Sequence, residues 1–146
     1  LARVARVAPA DTLQPPADAA SWLLDIPSKG SLDSLTLAPS ARGDAELAPG
    51  EVRIAVRAAG VNFRDVLNAL GMYPGDASDF GLEGAGVVVE AGSDVTDLAV
   101  GDRVLGMFPG AFGPLAVADA RTVVRIPEGW SFAQAASVPI VFLTAY

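Results

Sequence analysis

Glycine and proline cut this chain into short pieces, and that punctuation decides what it can become. Fifteen glycines and eleven prolines are spread over 146 residues. The apolar runs between them are too short for long helices. "WLLDIP" and "SLTLAP" both close on proline, which removes a ladder donor and suits an edge strand. "EVRIAVRA" alternates, with Val52, Ile54 and Val56 on one face and Arg53 and Arg57 on the other. That period of two predicts a half-buried strand. "GVVVEA" reads as a buried strand, and "DRVLGMF" and "TVVRIP" read as further strands. No internal repeat connects them. The expected class is a β-rich α+β domain of short elements.

Helices are expected in a few places. Asn62 is placed to cap one, and Phe63, Val66, Leu67 and Leu70 follow at i, i+3, i+4 and i+7, the spacing of one helical face. Gly71 is placed to end it. Ser131 and Gln134 form a capping-box pattern opening a second helix. Pro139 interrupts the stretch after it, and "VFLTAY" begins another helical pattern.

Composition narrows the function. The chain is 51% hydrophobic and 18% charged, with a net charge of −7 and a pI near 4.3. That balance describes a globular domain. Its arginines are scattered and Lys29 is the only lysine, so no basic patch is present to grip a phosphate backbone, and nucleic acid is not an expected partner. No apolar run approaches the ~18 residues of a membrane span. "LARVARVAPA" lacks the apolar core of a signal peptide, and the expected location is cytoplasmic. Cysteine and histidine are both absent. That excludes disulfides, thiol nucleophiles, a Ser-His-Asp triad and a His/Cys zinc site within these residues. A site built from carboxylates alone stays open, but the acidic residues lack Ca²⁺-loop spacing, and no metal-ligating residue is singled out.

The run "GLEGAGVVVEAG" invites a dinucleotide reading and fails it. A G-x-G-x-x-G fingerprint starting at Gly84 needs glycine where Val89 stands. The glycines also precede the strand, whereas the fingerprint follows one. Turns and close backbone approach explain them better. Glu83, an acid among glycines and apolar residues, is expected to be buried and hydrogen-bonded in a structural role. In "AGSDVTDLAVGDRVLG", Val95 and Leu98 anchor a surface loop feeding a strand.

Tyr73 stands out in "GVNFRDVLNALGMYPG". A phenol carries its proton at neutral pH and can donate it, but tyrosine packed on a turn proline is equally common. Asn62 is open between a helix cap and a ligand contact, with the cap favoured. Thr144 carries a weaker signal.

Three stretches in order carry a resemblance: "EVRIAVRAAGVNFRDVLNALGMYPG", "GLEGAGVVVEAGSDVTDLAVGDRVLGM" and "IPEGWSFAQAASVPIVFLTAY". Together they resemble the medium-chain dehydrogenase/reductase superfamily. Within it they look most like the enoyl reductase domains of modular type I polyketide synthases, with quinone oxidoreductases as free-standing relatives. The resemblance covers roughly residues 22–146. It implies a GroES-like, partly open β-barrel with short helices, into whose chain a Rossmann domain is inserted. Residues 21–146 would be the N-terminal part of that catalytic domain, residues 1–20 an Ala/Pro-rich interdomain linker, and the inserted Rossmann domain lies outside this chain. The apolar stop at Tyr146 is expected of a polypeptide that continues.

The resemblance also implies chemistry. Zinc-dependent members keep a cysteine at the position of Asn62 and a histidine at the position of Leu82, so zinc-independent catalysis is implied, with the thioester oxygen stabilised by hydrogen bonds. The implied reaction is NADPH-dependent reduction of a trans-2-enoyl thioester on an acyl carrier protein, with neighbouring synthase domains as further partners. Asn62 and Thr144 would lie near the nicotinamide and its ribose, and Phe63 and Pro139 would shape the pocket. Tyr73 matches a tyrosine associated with proton donation and with α-methyl configuration. The alternatives are a free-standing quinone or enone reductase and a non-catalytic GroES-like module of a large assembly.

Overall fold

The computed structural model describes residues 13–75 and 79–146. Of the expected linker, residues 1–12 lie outside the described residues. Strands β1 (Trp22–Asp25) and β2 (Thr36–Pro39) pair only with each other, antiparallel, as a small sheet. The main sheet contains β3 (Glu51–Ala59), β4 (Glu83–Ala91), β5 (Arg103–Met107), β6 (Leu115–Asp119) and β7 (Val123–Arg125) in the order β6-β3-β4-β5-β7, antiparallel throughout. Three short helices complete it: α1 (Phe63–Ala69), α2 (Phe132–Ala136) and α3 (Pro139–Ala145). The β-rich, short-helix architecture expected from the punctuation is the one observed.

Side-chain alternation sorts the core onto two faces of the sheet. Val52, Ile54, Val88, Val104, Ala116 and Ala118 form the main core, with Leu98 and Val95 closing it from the 92–102 loop as expected. Full burial of a valine or isoleucine side chain contributes about 1.5–3 kcal/mol. On the other face Ala85 and Leu105 pack against Ala135 and Ala136 of α2. A third cluster, Ile26, Ala69 and Phe80, joins the small sheet to α1. Register shifts between Arg53 and Ile54 and between Val56 and Ala58 bend β3, as bulges do.

Four details depart from the sequence reading. Arg53, expected on the solvent face, is 6% exposed. Its guanidinium donates to the carbonyls of Arg42 and Ala45 and to Glu90 Oε2, the last at 2.9 Å, so the charge is buried with its donors used. Helix α1 is turned from its expected orientation. Phe63 is 74% and Val66 36% exposed, while Asp65, Asn68 and Ala69 are buried. Specific hydrogen bonds to Asp65 and Asn68 override the apolar periodicity there. Gly84 and Gly86 lie inside β4 rather than before it. A Cβ on Gly86 would collide with the Ala55 carbonyl oxygen across the ladder. Strand β6 is not expected from the sequence. Its inward residues are Ala116 and Ala118, small enough to sit against β3 and too weakly apolar to announce a strand.

Candidate functional site

The candidate site is organised by Glu83, the first residue of β4. Its backbone carbonyl accepts from Gly60 N–H at 3.2 Å, closing the end of the β3–β4 ladder. Its side chain then turns into the space beside Gly60, where a Cβ would overlap the carboxylate. The residue is 2% exposed. Oε1 accepts from Asn62 Nδ2 at 2.9 Å, and Oε2 accepts from the Ile140 backbone N–H at 2.8 Å. One buried carboxylate thereby joins the start of α1 to the first turn of α3. The buried, hydrogen-bonded setting expected for Glu83 is present; its link to two helix starts was not legible in the sequence. Gly60 immediately before "VN" was the available signal, because only glycine leaves room for that side chain.

Asn62 holds the N-cap position of α1 and forms a capping box with Asp65. The Asp65 carboxylate accepts from Asn62 N–H at 2.9 Å with one oxygen and from Gly81 N–H at 3.0 Å with the other. The strand leading into Glu83 is therefore pinned to the same helix turn that carries Asn62. Phe63, next along, presents an exposed ring. Pro139 occupies the first position of α3 and is buried, where its missing N–H costs no helix bond. Thr144 is exposed one turn beyond Ile140, and its hydroxyl donates to the Ile140 carbonyl at 2.6 Å.

Tyr73 leaves the far end of α1, about 10 Å along the helix axis from Phe63. Gly71, at a φ of 68°, turns the chain there, the left-handed position that terminates a helix. The ring folds back to lie 5.1 Å from the Arg64 guanidinium, a cation–π distance. Arg64 also donates to the Asp79 carbonyl at 3.1 Å, and the Asp79 carboxylate pairs with Arg42 at 2.7 Å. Tyr73 is half-buried, and among the described residues its hydroxyl has no hydrogen-bond partner. Lys29 Nζ donates to buried Asn68 Oδ1 at 2.8 Å, one turn along α1 from Arg64. Glu83 thus ties Asn62 to the start of α3, where Pro139 precedes Ile140 and Thr144 lies one turn beyond it, while Phe63 follows Asn62 in the chain and Tyr73 packs on Arg64. Sequence reasoning missed Arg64 as the partner of Tyr73.

A broad surface groove of about 830 Å³ lies elsewhere, among Glu51, Asp94, Asp119 and Arg121. None of Asn62, Phe63, Tyr73, Glu83, Pro139 or Thr144 lines it. Asp119 and Arg121 in its wall pair with each other in solvent, so convergent buried polar groups mark the Glu83 region instead. No group of three or more potential metal-ligating side chains occurs among the described residues.

The family model of the alcohol dehydrogenase GroES-like domain matches residues 48–128. The chain belongs to this GroES-like family. The matched span of the GroES-like domain runs from the loop before β3 to just past β7, so it takes in the whole main sheet, α1 and Glu83. Over 99% of its length the chain is 58% identical to the pikromycin polyketide synthase component PikAII of Streptomyces venezuelae, of which it spans 4%. Among solved structures, the CurK enoyl reductase superposes with a TM-score of 0.75 at 34% identity, over 86% of this chain and 41% of that one. The Escherichia coli quinone oxidoreductase complexed with NADPH gives 0.74 at 30% identity, over 87% and 39%. The chain thus spans less than half of each of these proteins.

Proposed function

We propose that this chain is part of a zinc-independent, NADPH-dependent enoyl reductase within a modular polyketide synthase. Residues 21–146 would form the N-terminal part of its GroES-like catalytic domain and residues 1–20 the entering linker. The observation that carries the reading is the Glu83 clasp, which ties Asn62 at the start of α1 to the Ile140 N–H in the first turn of α3. Its similarity to synthase and enoyl reductase sequences supports the same conclusion. A cytoplasmic megasynthase would supply the neighbouring domains, and an acyl carrier protein would bring the substrate.

The donor set suits the nicotinamide end of NADPH. A carboxamide and ribose hydroxyls call for neutral hydrogen-bonding groups, and Asn62 and Thr144 provide an amide and a hydroxyl. Thr144 donates its proton to Ile140, which leaves its oxygen free to accept. The nearby carboxylate of Glu83 already accepts two hydrogen bonds. Phe63 supplies an exposed ring to pack beside the ligand. When bound, NADPH supplies hydride to the β-carbon of a trans-2-enoyl thioester. The displaced π electrons collect as an enolate on the thioester. Tyr73 then transfers its phenolic proton to the α-carbon, and the phenolate recovers a proton from water. Arg64 holds the Tyr73 ring by its face. The positions that carry zinc ligands in metal-dependent relatives hold Asn62 and Leu82 here, so enolate stabilisation falls to hydrogen bonds.

The complete polypeptide tests this directly. Incubated with a trans-2-enoyl pantetheine thioester and NADPH, it is expected to consume cofactor and yield the saturated thioester by mass, with or without a chelator. Absence of turnover would reject the reading. Loss of turnover in chelator, restored by zinc, would reject zinc independence.

A further inference from the structure

The proposed chemistry gives no task to Glu83, the most deeply buried of the ionisable side chains among the described residues. Glu83 touches neither the proposed ligand nor the proton donor. It is nevertheless placed where its two oxygens each hold a different segment of the proposed pocket. Oε1 takes the Asn62 amide at 2.9 Å, and Oε2 takes the Ile140 N–H at 2.8 Å. An ionised carboxylate only accepts, so the Asn62 side chain must turn its NH₂ end to Glu83. Its Oδ1 end is thereby left toward Asp65 and the α1 terminus, where Asn62 completes the capping box. Gly60 cannot take a Cβ without striking this carboxylate, so the backbone is shaped around the clasp.

Resting on the enoyl reductase reading, we propose that Glu83 is a positioning residue that holds the Asn62 amide and the first turn of α3 as one rigid unit. Asn62 and Thr144 lie on separate helices, and 77 residues separate Asn62 from Pro139 in the chain. A carboxylate bonded to both sides sets their spacing whatever occupies the pocket. Small misplacement of such groups slows chemistry far more than it weakens binding.

The test uses Glu83→Gln in the complete polypeptide. The substitution keeps the volume but sets an NH₂ against one of two N–H donors. The expected result is a folded protein whose kcat falls about ten- to a hundredfold while KM for the enoyl thioester stays within about threefold. The deuterium isotope effect with 4-deuterated NADPH should rise as hydride transfer becomes limiting. Glu83→Asp keeps the carboxylate but is one methylene too short to reach both Asn62 Nδ2 and the Ile140 N–H, so it too should turn over slowly and show the raised isotope effect.

Turnover and isotope effect in Glu83→Gln equal to wild type would overturn the proposal. So would a loss of activity that only tracks the loss of folded protein, with an unchanged isotope effect. If Glu83→Gln does not fold, Glu83→Asp decides: folded and slow with a raised isotope effect supports positioning, whereas unfolded, or folded with wild-type turnover, or slow with an unchanged isotope effect, overturns it. Failure of the enoyl reductase reading is a separate outcome, because wild-type protein would then leave the thioester unreduced.

Discussion

The carboxylate of Asp65 accepts a hydrogen bond from the Gly81 backbone N–H at 3.0 Å, sixteen residues further along the chain. The same carboxylate caps its own helix through Asn62 N–H. Asp65 is 4% exposed and Gly81 is buried, while Asn62 is half-buried. Asp65→Ala should destabilise the domain by about 1–3 kcal/mol, chiefly the cost of leaving the Gly81 donor unpaired in the interior. The midpoint of urea unfolding measures this. A loss below about 0.5 kcal/mol, the range of an ordinary surface change, would show that both donors find other partners.

Two glycines should respond in opposite directions to alanine. At Gly86 a Cβ meets the Ala55 carbonyl and lies 2.7 Å from Ile54 Cγ2. The strands must part to admit it, at about 1–3 kcal/mol. At Gly50 nothing stands within 4 Å, and alanine there should be neutral or stabilising by up to about 1 kcal/mol through the unfolded chain. Thermal melts of the two variants separate these cases. Equal melting temperatures would contradict the packing assigned to β4.

Tyr73→Phe and Tyr73→Val, made in the complete polypeptide, should change the configuration at the α-carbon more than they lower kcat. The phenol is free to donate among the described residues, and Arg64 fixes its ring. Chiral analysis of the reduced α-methyl thioester reports the outcome. An unchanged configuration in both variants would remove Tyr73 from the proton-transfer role.

Acid stability should carry the signature of Asp119. Its carboxyl is held down to about 2, first by the Arg121 side chain and then by the Arg121 backbone N–H. In the unfolded chain it returns to about 3.9. A carboxylate with a depressed folded-state value contributes its stability above the unfolded value and loses it as pH falls toward the folded one. Asp119→Asn should therefore flatten the decline in stability between about pH 4 and pH 2. Asp102, lowered by the Ala99 backbone N–H and then by Arg125, acts in the same direction. Identical acid limbs in urea titrations of the two proteins would count against this assignment.

The sequence carried the sheet better than the site. Strands whose buried residues are Val52, Ile54, Val88 and Val104 announce themselves, because large β-branched side chains need the pleated, half-buried surface they describe. Strand β6 hides its burial behind Ala116 and Ala118, and Arg53 hides it behind a charge whose donors are met by distant carbonyls. The same limit governs α1. Asp65 and Asn68 point inward because partners at Gly81 and Lys29 await them, and no periodicity encodes a partner. At the candidate site, the positions of Asn62 and Pro139 followed from the family resemblance. That one carboxylate would connect them is a tertiary fact, foreshadowed only by the glycine at position 60.

The strand order also bears on how such a domain is made. Strand β3 pairs on one side with β4 and on the other with β6, whose residues run from Leu115 to Asp119. A nascent chain therefore emerges from the ribosome with one side of β3 bare until more than fifty further residues have been synthesised. Pairings this far apart form slowly, and an open ladder recruits other strands in the meantime. Arg53 sits on that waiting strand, and a charged side chain there is the kind of residue that keeps an unfinished sheet from pairing with the wrong neighbour.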